Sequence, residues 1–359
     1  MARVKLGDVA REYKATIKNS AGLPVVGLEH LTPGEITLEN WAVDTENTFT
    51  KGFKKGHMLF GRRRAYLKKA ALAPFDGICS GDITVIEAIP DKINPELLPF
   101  IIQNDLLFDY AVGNSAGSLS PRVKWESLKD YQFELPELSE QDGLVELLKA
   151  AHRTKAAYRK QILATDELVK SQFIEMFADT PKGKLSDIAT ITMGQSPDGK
   201  TYNTDGNGMC FYQGKTEFGD LYIGEATTWT TAPLRIAEAN DVLMSVRAPV
   251  GSTNIATQTC CLGRGLAGIR PIEGRSTTMF ILYSMRSIED DIENMGVGST
   301  FKAINKDVVY NLPIPLATIE LQNKFVALAE QSDKSKFELQ EAIVRIDNLI
   351  KSLIQQDTE

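Results

Sequence analysis

Toward one end of the chain, Leu339, Ile343, Ile346, Ile350 and Leu353 alternate four and three apart, the spacing a helix uses to present one seam to a partner helix. A looser version of the pattern runs through Leu144, Leu148, Ala151, Tyr158, Ile162 and Phe173. These seams predict two long helices. The first follows Pro136, where Ser139-Glu140-Gln141-Asp142 resembles a capping box with Asp in place of Glu, and ends near Ala178, before Pro181 and Gly183. The second starts with Thr318 as N-cap and extends to about Gln356. Roughly 40 residues at 1.5 Å each give a helix of about 60 Å; the alternative is two helices packed in an ordinary core, and length and charged flanks favour a paired rod. Elsewhere, short apolar runs such as Ile83–Ile86 and Asp241–Val246 lie between Gly and Pro turns and read as strands. Leu97–Tyr110 and Met279–Ile292 read as helices among them.

This plan occurs twice. Leu6-Gly7-Asp8-Val9-Ala10 returns as Leu185-Ser186-Asp187-Ile188-Ala189, and the stretch from Gly56 aligns with that from Asn240, placing Arg63 on Arg247. Gly117-Ser118 falls on Gly298-Ser299, and Gln141 and Val145 fall on Gln322 and Val326. The expected organisation is therefore α+β, with an internal pseudo-two-fold repeat. A strand-rich domain occupies 1–136, a long helix 137–180, a second strand-rich domain 181–317 and a second long helix 318–359.

Composition narrows the class. Of 359 residues 43% are hydrophobic and 24% charged, which excludes disordered, collagen-like and disulfide-dense chains. No apolar run is long enough to span a membrane. Met1–Asp8 lacks the apolar core of a secretory signal, and Cys79, Cys210, Cys260 and Cys261 form no CxxC pair. Reduced thiols in a cytoplasmic protein are expected. The net charge of −7 hides a local excess. Lys51, Lys54, Lys55, Arg62, Arg63, Arg64, Lys68 and Lys69 crowd one stretch that contains no acid and is interleaved with Phe53, Met58, Leu59, Phe60, Tyr66 and Leu67. This suits a hairpin with an apolar inner and a cationic outer face, able to hold phosphates and guanine edges. The alternative is a solvated, lysine-rich edge strand. Because Arg247 repeats Arg63, with Arg264 and Arg270 nearby, a two-site polyanion binder is preferred. Tyr66 and Lys215 join the candidate contact set.

Two motifs match patterns without their context. Gly194–Thr201 satisfies GxxxxGK[ST], yet Tyr202–Gly208 cannot open the helix whose amides would hold phosphate. Gly113–Gly117 satisfies GxSxG, but Ser115 precedes no helix, and of the three histidines only His152 follows it. Three scattered histidines make no zinc site, and no Asn/Asp-Pro-Pro-Tyr/Phe methyltransferase motif occurs.

Domain, long helix, domain, long helix: this order resembles the specificity subunit of type I restriction-modification systems. Gly194-Gln195-Ser196-Pro197 is similar to the loop near the start of such a recognition domain. Val246–Gly251 followed by Gly263–Arg270 is similar to its central strands, and Leu312–Leu316, shortly before Gln322, to its entry into a long helix. The resemblance implies two target-recognition domains, each reading half of a gapped double-stranded DNA site, and two helices that pair antiparallel and set the gap. Two methyltransferase subunits would dock on the helices, with restriction and translocase subunits joining through them. The chain itself would be non-catalytic and need no cofactor. Cys79–Thr84 in the first domain differs from Gly263–Ala267 in the second, so different half-sites are expected. A nucleotide-binding enzyme using Lys200 and Thr201, and a coiled-coil scaffold binding only proteins, are the alternatives.

Overall fold

The computed structural model describes residues 2–18, 22–43, 45–296 and 302–354; Gly298, Ser299 and Gln356 lie outside them. Two compact units are formed, one by Met1–Tyr158 with Gln340–Glu359, the other by Arg159–Leu339.

In the first unit, β1 (Ala10–Glu12), β2 (Met58–Gly61), β3 (Ala70–Leu72) and β4 (Ile83–Ala88) form an antiparallel sheet in the order β1-β4-β2-β3. In the second, β5 (Ala189–Met193), β6 (Val242–Ser245), β7 (Thr253–Ile255) and β8 (Leu266–Pro271) repeat it as β5-β8-β6-β7. The neighbouring sheet repeats too. Val25–Val26 runs parallel to Gly77–Cys79, with Lys51–Phe53 antiparallel on the other side. Likewise Met209–Tyr212 runs parallel to Cys260–Leu262, with Ile236–Ala237 antiparallel. A two-stranded pair closes each unit: Ala2–Lys5 with Gln132–Leu135, and Lys182–Lys184 with Pro313–Pro315. The inferred duplication is thus reproduced strand by strand.

Equivalent turns use different chemistry for one task. Before β2, His57 Nδ1 accepts the Lys54 N–H at 3.1 Å; before β6, Asp241 Oδ2 accepts the Glu238 N–H at 2.8 Å. Burial pushes His57 below the ordinary imidazole range, keeping it neutral and able to accept that bond. Asp241 instead pairs with Arg270, through bonds of 2.9 Å to both oxygens.

The two long helices are α1 (Leu138–Phe177) and α2 (Ile319–Ile354). Thr318 Oγ1 accepts the Leu321 N–H at 3.4 Å, as expected of an N-cap. α1 starts one residue before Ser139, so the expected capping box does not form; the Glu140 N–H turns back to the Glu137 carbonyl instead. Each helix contributes to both units. In the first, Lys155 of α1 pairs with Asp347 of α2, while Leu144 lies beside Leu353 and Ile354, so the segments run antiparallel. In the second, Lys336 of α2 meets Asp166 of α1 at 2.6 Å, and Phe325 packs on Phe173 and Phe177 at 5.1 and 5.8 Å, again antiparallel. The ion pairs are repeats of each other, since 155 to 336 and 166 to 347 are both steps of 181. Of the seam residues, Leu148 lies in the first unit's core with Leu144, Ile350 and Leu353 packed against it, and Phe173 lies in the second unit's core. Leu148 and Phe173 are buried; Leu144, Ile162, Leu339, Ile343, Ile346, Ile350 and Leu353 are half-buried.

Buried Gln141 and Gln322 fasten each helix start to its unit. Gln141 accepts the Asn94 N–H at 2.7 Å and donates to the Pro136 carbonyl at 2.9 Å. Gln322 accepts the Thr277 N–H at 3.1 Å and donates to the carbonyls of Arg275 and Ala317 at 2.8 and 2.9 Å. This explains why glutamine recurs at that place in the repeat. The two shorter helices expected from the sequence are each divided. Leu98–Ile102 and Asp105–Gly113 are separated where Asn104 caps the Leu106 N–H at 3.0 Å, and Thr278–Ser287 is followed by Glu289–Met295.

Candidate nucleic-acid interface

The basic stretch does not fold as one hairpin. Lys51–Phe53 and β2 belong to different sheets, and β2 pairs instead with β3 and β4. Every residue of β2 is buried, so no outer face is left for cations to occupy. The lysines are dispersed accordingly. Lys51 Nζ donates to the Ile83 carbonyl at 2.8 Å and lies 3.5 Å from Glu12. Lys54 pairs with Asp76 at 2.8 Å, and the Lys55 backbone N–H reaches the same carboxylate at 2.9 Å. Lys68 meets Asp105 at 2.6 Å, where Lys351 also binds at 2.9 Å, and Lys69 donates to the Leu28 carbonyl at 2.7 Å.

Arg62, Arg63 and Arg64 stay together at the end of β2. The Arg62 N–H bonds the Asp82 carbonyl at 3.0 Å, Arg63 bridges to Arg122, and the Arg64 N–H bonds the Pro121 carbonyl at 2.8 Å. Arg64 is exposed in a left-handed conformation (φ 53°), and Tyr66 is exposed close by in sequence. One carboxylate organises the cluster. Asp82 accepts from Arg122 Nε at 2.7 Å and Nη2 at 3.3 Å, and from Arg63 Nη1 at 3.4 Å. Arg63 Nη2 also donates to Ser120 Oγ at 3.1 Å. Hydrogen bonding from Arg122 holds the Asp82 carboxyl below its usual range, so it stays charged under its two guanidinium partners. Sequence reasoning missed Asp82, Ser120 and Arg122, which come from segments remote in the chain.

In the second unit Arg247 occupies the same place. The Val246 N–H bonds the Gly265 carbonyl at 2.9 Å, as Arg62 does that of Asp82, and Arg247 bridges to Ala303 as Arg63 does to Arg122. Arg247 and Arg264 are exposed. The Arg264 N–H reaches Ser196 Oγ at 3.3 Å, and exposed Lys215 donates to Ser252 Oγ at 3.2 Å. Arg270 lies at the other end of β8, bound to Asp241 and, at 2.8 Å, to Glu238. It is a structural cation.

The nucleotide-loop match dissolves on inspection. Gly199–Thr201 forms a single 3₁₀ turn leading into a strand, with Asp198 capping the Lys200 N–H at 3.0 Å and the Thr201 hydroxyl bonded to the Asp198 carbonyl at 2.7 Å. The loop opens into a strand and not a helix, so nothing here supports the alternative of a P-loop enzyme. Gly194 has a packing role: a Cβ there would lie 2.1 Å from the Gly263 carbonyl oxygen. Ser115 bonds back to the Ala111 carbonyl at 2.7 Å, just past a helix end. Among the described residues no His, Cys, Asp or Glu cluster could hold a metal ion, and no helix is long and apolar enough to cross a membrane.

A strand-rich unit built twice, with arginine at the same sheet end in both copies and a long helix after each, defines a duplicated α+β protein, and the comparisons specify its family. The family model for the type I restriction modification DNA specificity domain matches residues 1–165 and again 179–345, and the chain belongs to that family. It is 27% identical to the MjaX type I restriction enzyme specificity subunit of Methanocaldococcus jannaschii, over 93% of this chain and 87% of the relative. It is 30% identical to a chain in a solved structure on complex assembly and conformational transition of the type I R-M system, with a TM-score of 0.64 over 98% of this chain and 96% of the other. The S subunit of a type I restriction-modification system from M. genitalium shares the fold, with a TM-score of 0.55 at 14% identity over 99% and 96% of the two chains. The protein is a type I DNA specificity subunit.

Proposed function

We propose that the chain is the non-catalytic address-reader of a cytoplasmic restriction-modification complex, and that each unit reads one half of a gapped, asymmetric site in double-stranded DNA from its arginine-bearing sheet end. The observation that carries this is the equivalence of Arg63 and Arg247, each two residues beyond its central strand and each bridged to the equivalent returning segment of its own unit. Arg62, Arg63, Arg64 and Tyr66 serve the first half-site, and Arg247, Arg264 and Lys215 the second. Lys51, Lys54, Lys68 and Lys69 act chiefly through the internal partners described above, while the exposed Lys55 side chain meets phosphate. The long helices set the number of unread base pairs and dock two methyltransferase subunits, through which restriction and translocase subunits join. Adenine methylation and ATP-driven cleavage belong to those partners, whose own cations supply much of the phosphate neutralisation an acidic reader lacks.

Mapping methylated adenines across the host genome with and without the gene tests the reading. Loss of one asymmetric, gapped motif with other methylation untouched supports it. A protein-only scaffold predicts no sequence-dependent DNA affinity even when the methyltransferase subunits are present.

A further inference from the structure

We propose that Asp82 holds Arg122, with Arg63 beside it, as a preorganised guanine reader used in one half-site only. The inference rests on the DNA-reading function just proposed and adds the base it selects. A guanidinium carries five N–H donors. Arg122 spends Nε–H and one Nη2–H on Asp82 and directs an Nη1–H at the Ser120 carbonyl, 3.4 Å away. One N–H on each terminal nitrogen is left, which is the two-donor edge that matches O6 and N7 of guanine in the major groove. The Asp82 side chain is 20% exposed, while those of Arg122 and Arg63 are 41% and 38% exposed. The anion therefore lies below and the cations outward. Fixing the arginine before binding removes ordering entropy from the encounter. Two cations on one anion also leave the cluster positive toward a polyanion.

Among the described residues the second unit shows no such device. Gly265 takes the place of Asp82, because its carbonyl receives the equivalent backbone bond, and Ala303 takes the place of Arg122 across from Arg247. The two half-sites are therefore read by different chemistry, a source of asymmetry in the target. Asp82 is a positioning residue and Arg122 a specificity-determining one.

The test selects binding sites from a randomised duplex library with the chain assembled with its methyltransferase subunits, comparing wild type, Arg122→Lys and Asp82→Asn. The expected result is a guanine in one half-site, whose preference falls by about 5- to 150-fold in either variant, with selectivity in the other half unchanged. Retained selectivity at the other positions of the first half-site, with hydrogen-exchange protection of the first unit, certifies that each variant is folded there. Arg122→Lys keeps the charge but loses the paired edge together with the two-point grip on Asp82, so its salt dependence should match wild type. Retained guanine preference in Arg122→Lys, uniform weakening across all sequences, or a first half-site without guanine would each overturn the proposal while leaving DNA reading intact. A wild-type complex that selects no gapped sequence would overturn both.

Discussion

Replacing Gln322 with alanine should loosen the second unit where α2 enters it. The side chain is fully buried and makes three hydrogen bonds, accepting from Thr277 and donating to Arg275 and Ala317. At about 1 kcal/mol net for each neutral bond, the loss is about 3 kcal/mol. Gln141, equally buried, makes two backbone bonds of this kind, so Gln141→Ala should cost about 2 kcal/mol, and in the first unit. Gln322→Glu should be worse than alanine, because it keeps the acceptor, loses both donations and buries a carboxylate. Hydrogen exchange read by mass spectrometry on the full chain separates the units, which a single melting curve does not. The Thr277–Phe280 amides should lose protection in Gln322→Ala and the Asn94–Leu97 amides in Gln141→Ala. A loss below about 0.5 kcal/mol, or one appearing in the wrong unit, would refute the claim that these glutamines fasten helix to domain.

Gly194→Ala should destabilise the second unit by about 2 kcal/mol or more, since its methyl would meet two backbone carbonyls, whereas Gly81→Ala enters open space and should be nearly silent in the same thermal denaturation series. Arg62→Ala/Arg63→Ala/Arg64→Ala should weaken DNA binding by the assembled complex and flatten its dependence on salt, with Arg247→Ala acting likewise through the other half-site. His57 has its folded pKa depressed by burial, so the first unit should be fully stable above about pH 6.5 and lose stability as pH falls through that value, where only the unfolded chain takes up the proton. Comparing hydrogen-exchange protection at pH 7.5 and 5.5 should show that loss in the first unit, and His57→Asn should flatten it. Inserting seven residues into each long helix adds about 10 Å, three base-pair steps of duplex, and adenine mapping should find a correspondingly longer gap or no assembly.

How far the sequence could be read depended on the range of each interaction. The helix seams are local patterns, and the two long helices they predict form as Leu138–Phe177 and Ile319–Ile354. The doubled plan was legible because Leu6–Ala10 and Leu185–Ala189 differ little. The hairpin was misassigned because β2 is buried on both faces and so shows no alternation. The basic stretch looked like a patch because its carboxylate partners, Glu12, Asp76, Asp82 and Asp105, come from separate segments. Arg122 was invisible for the same reason. Gln141 and Gln322 were visible as a repeat, but their purpose required the backbone groups they meet.

Each unit is finished by a helix segment from the opposite half of the chain, and this sets a timetable for synthesis. Met1–Tyr158 leaves the ribosome with Leu144, Val145 and Leu148 in a core that Ile350, Leu353 and Ile354 later help to cover, and those residues follow only after all of Arg159–Leu339. The first-made unit is therefore the last completed. It must wait with apolar surface uncovered, at risk of association with other nascent chains, while the later-made unit is contiguous in sequence and can close first.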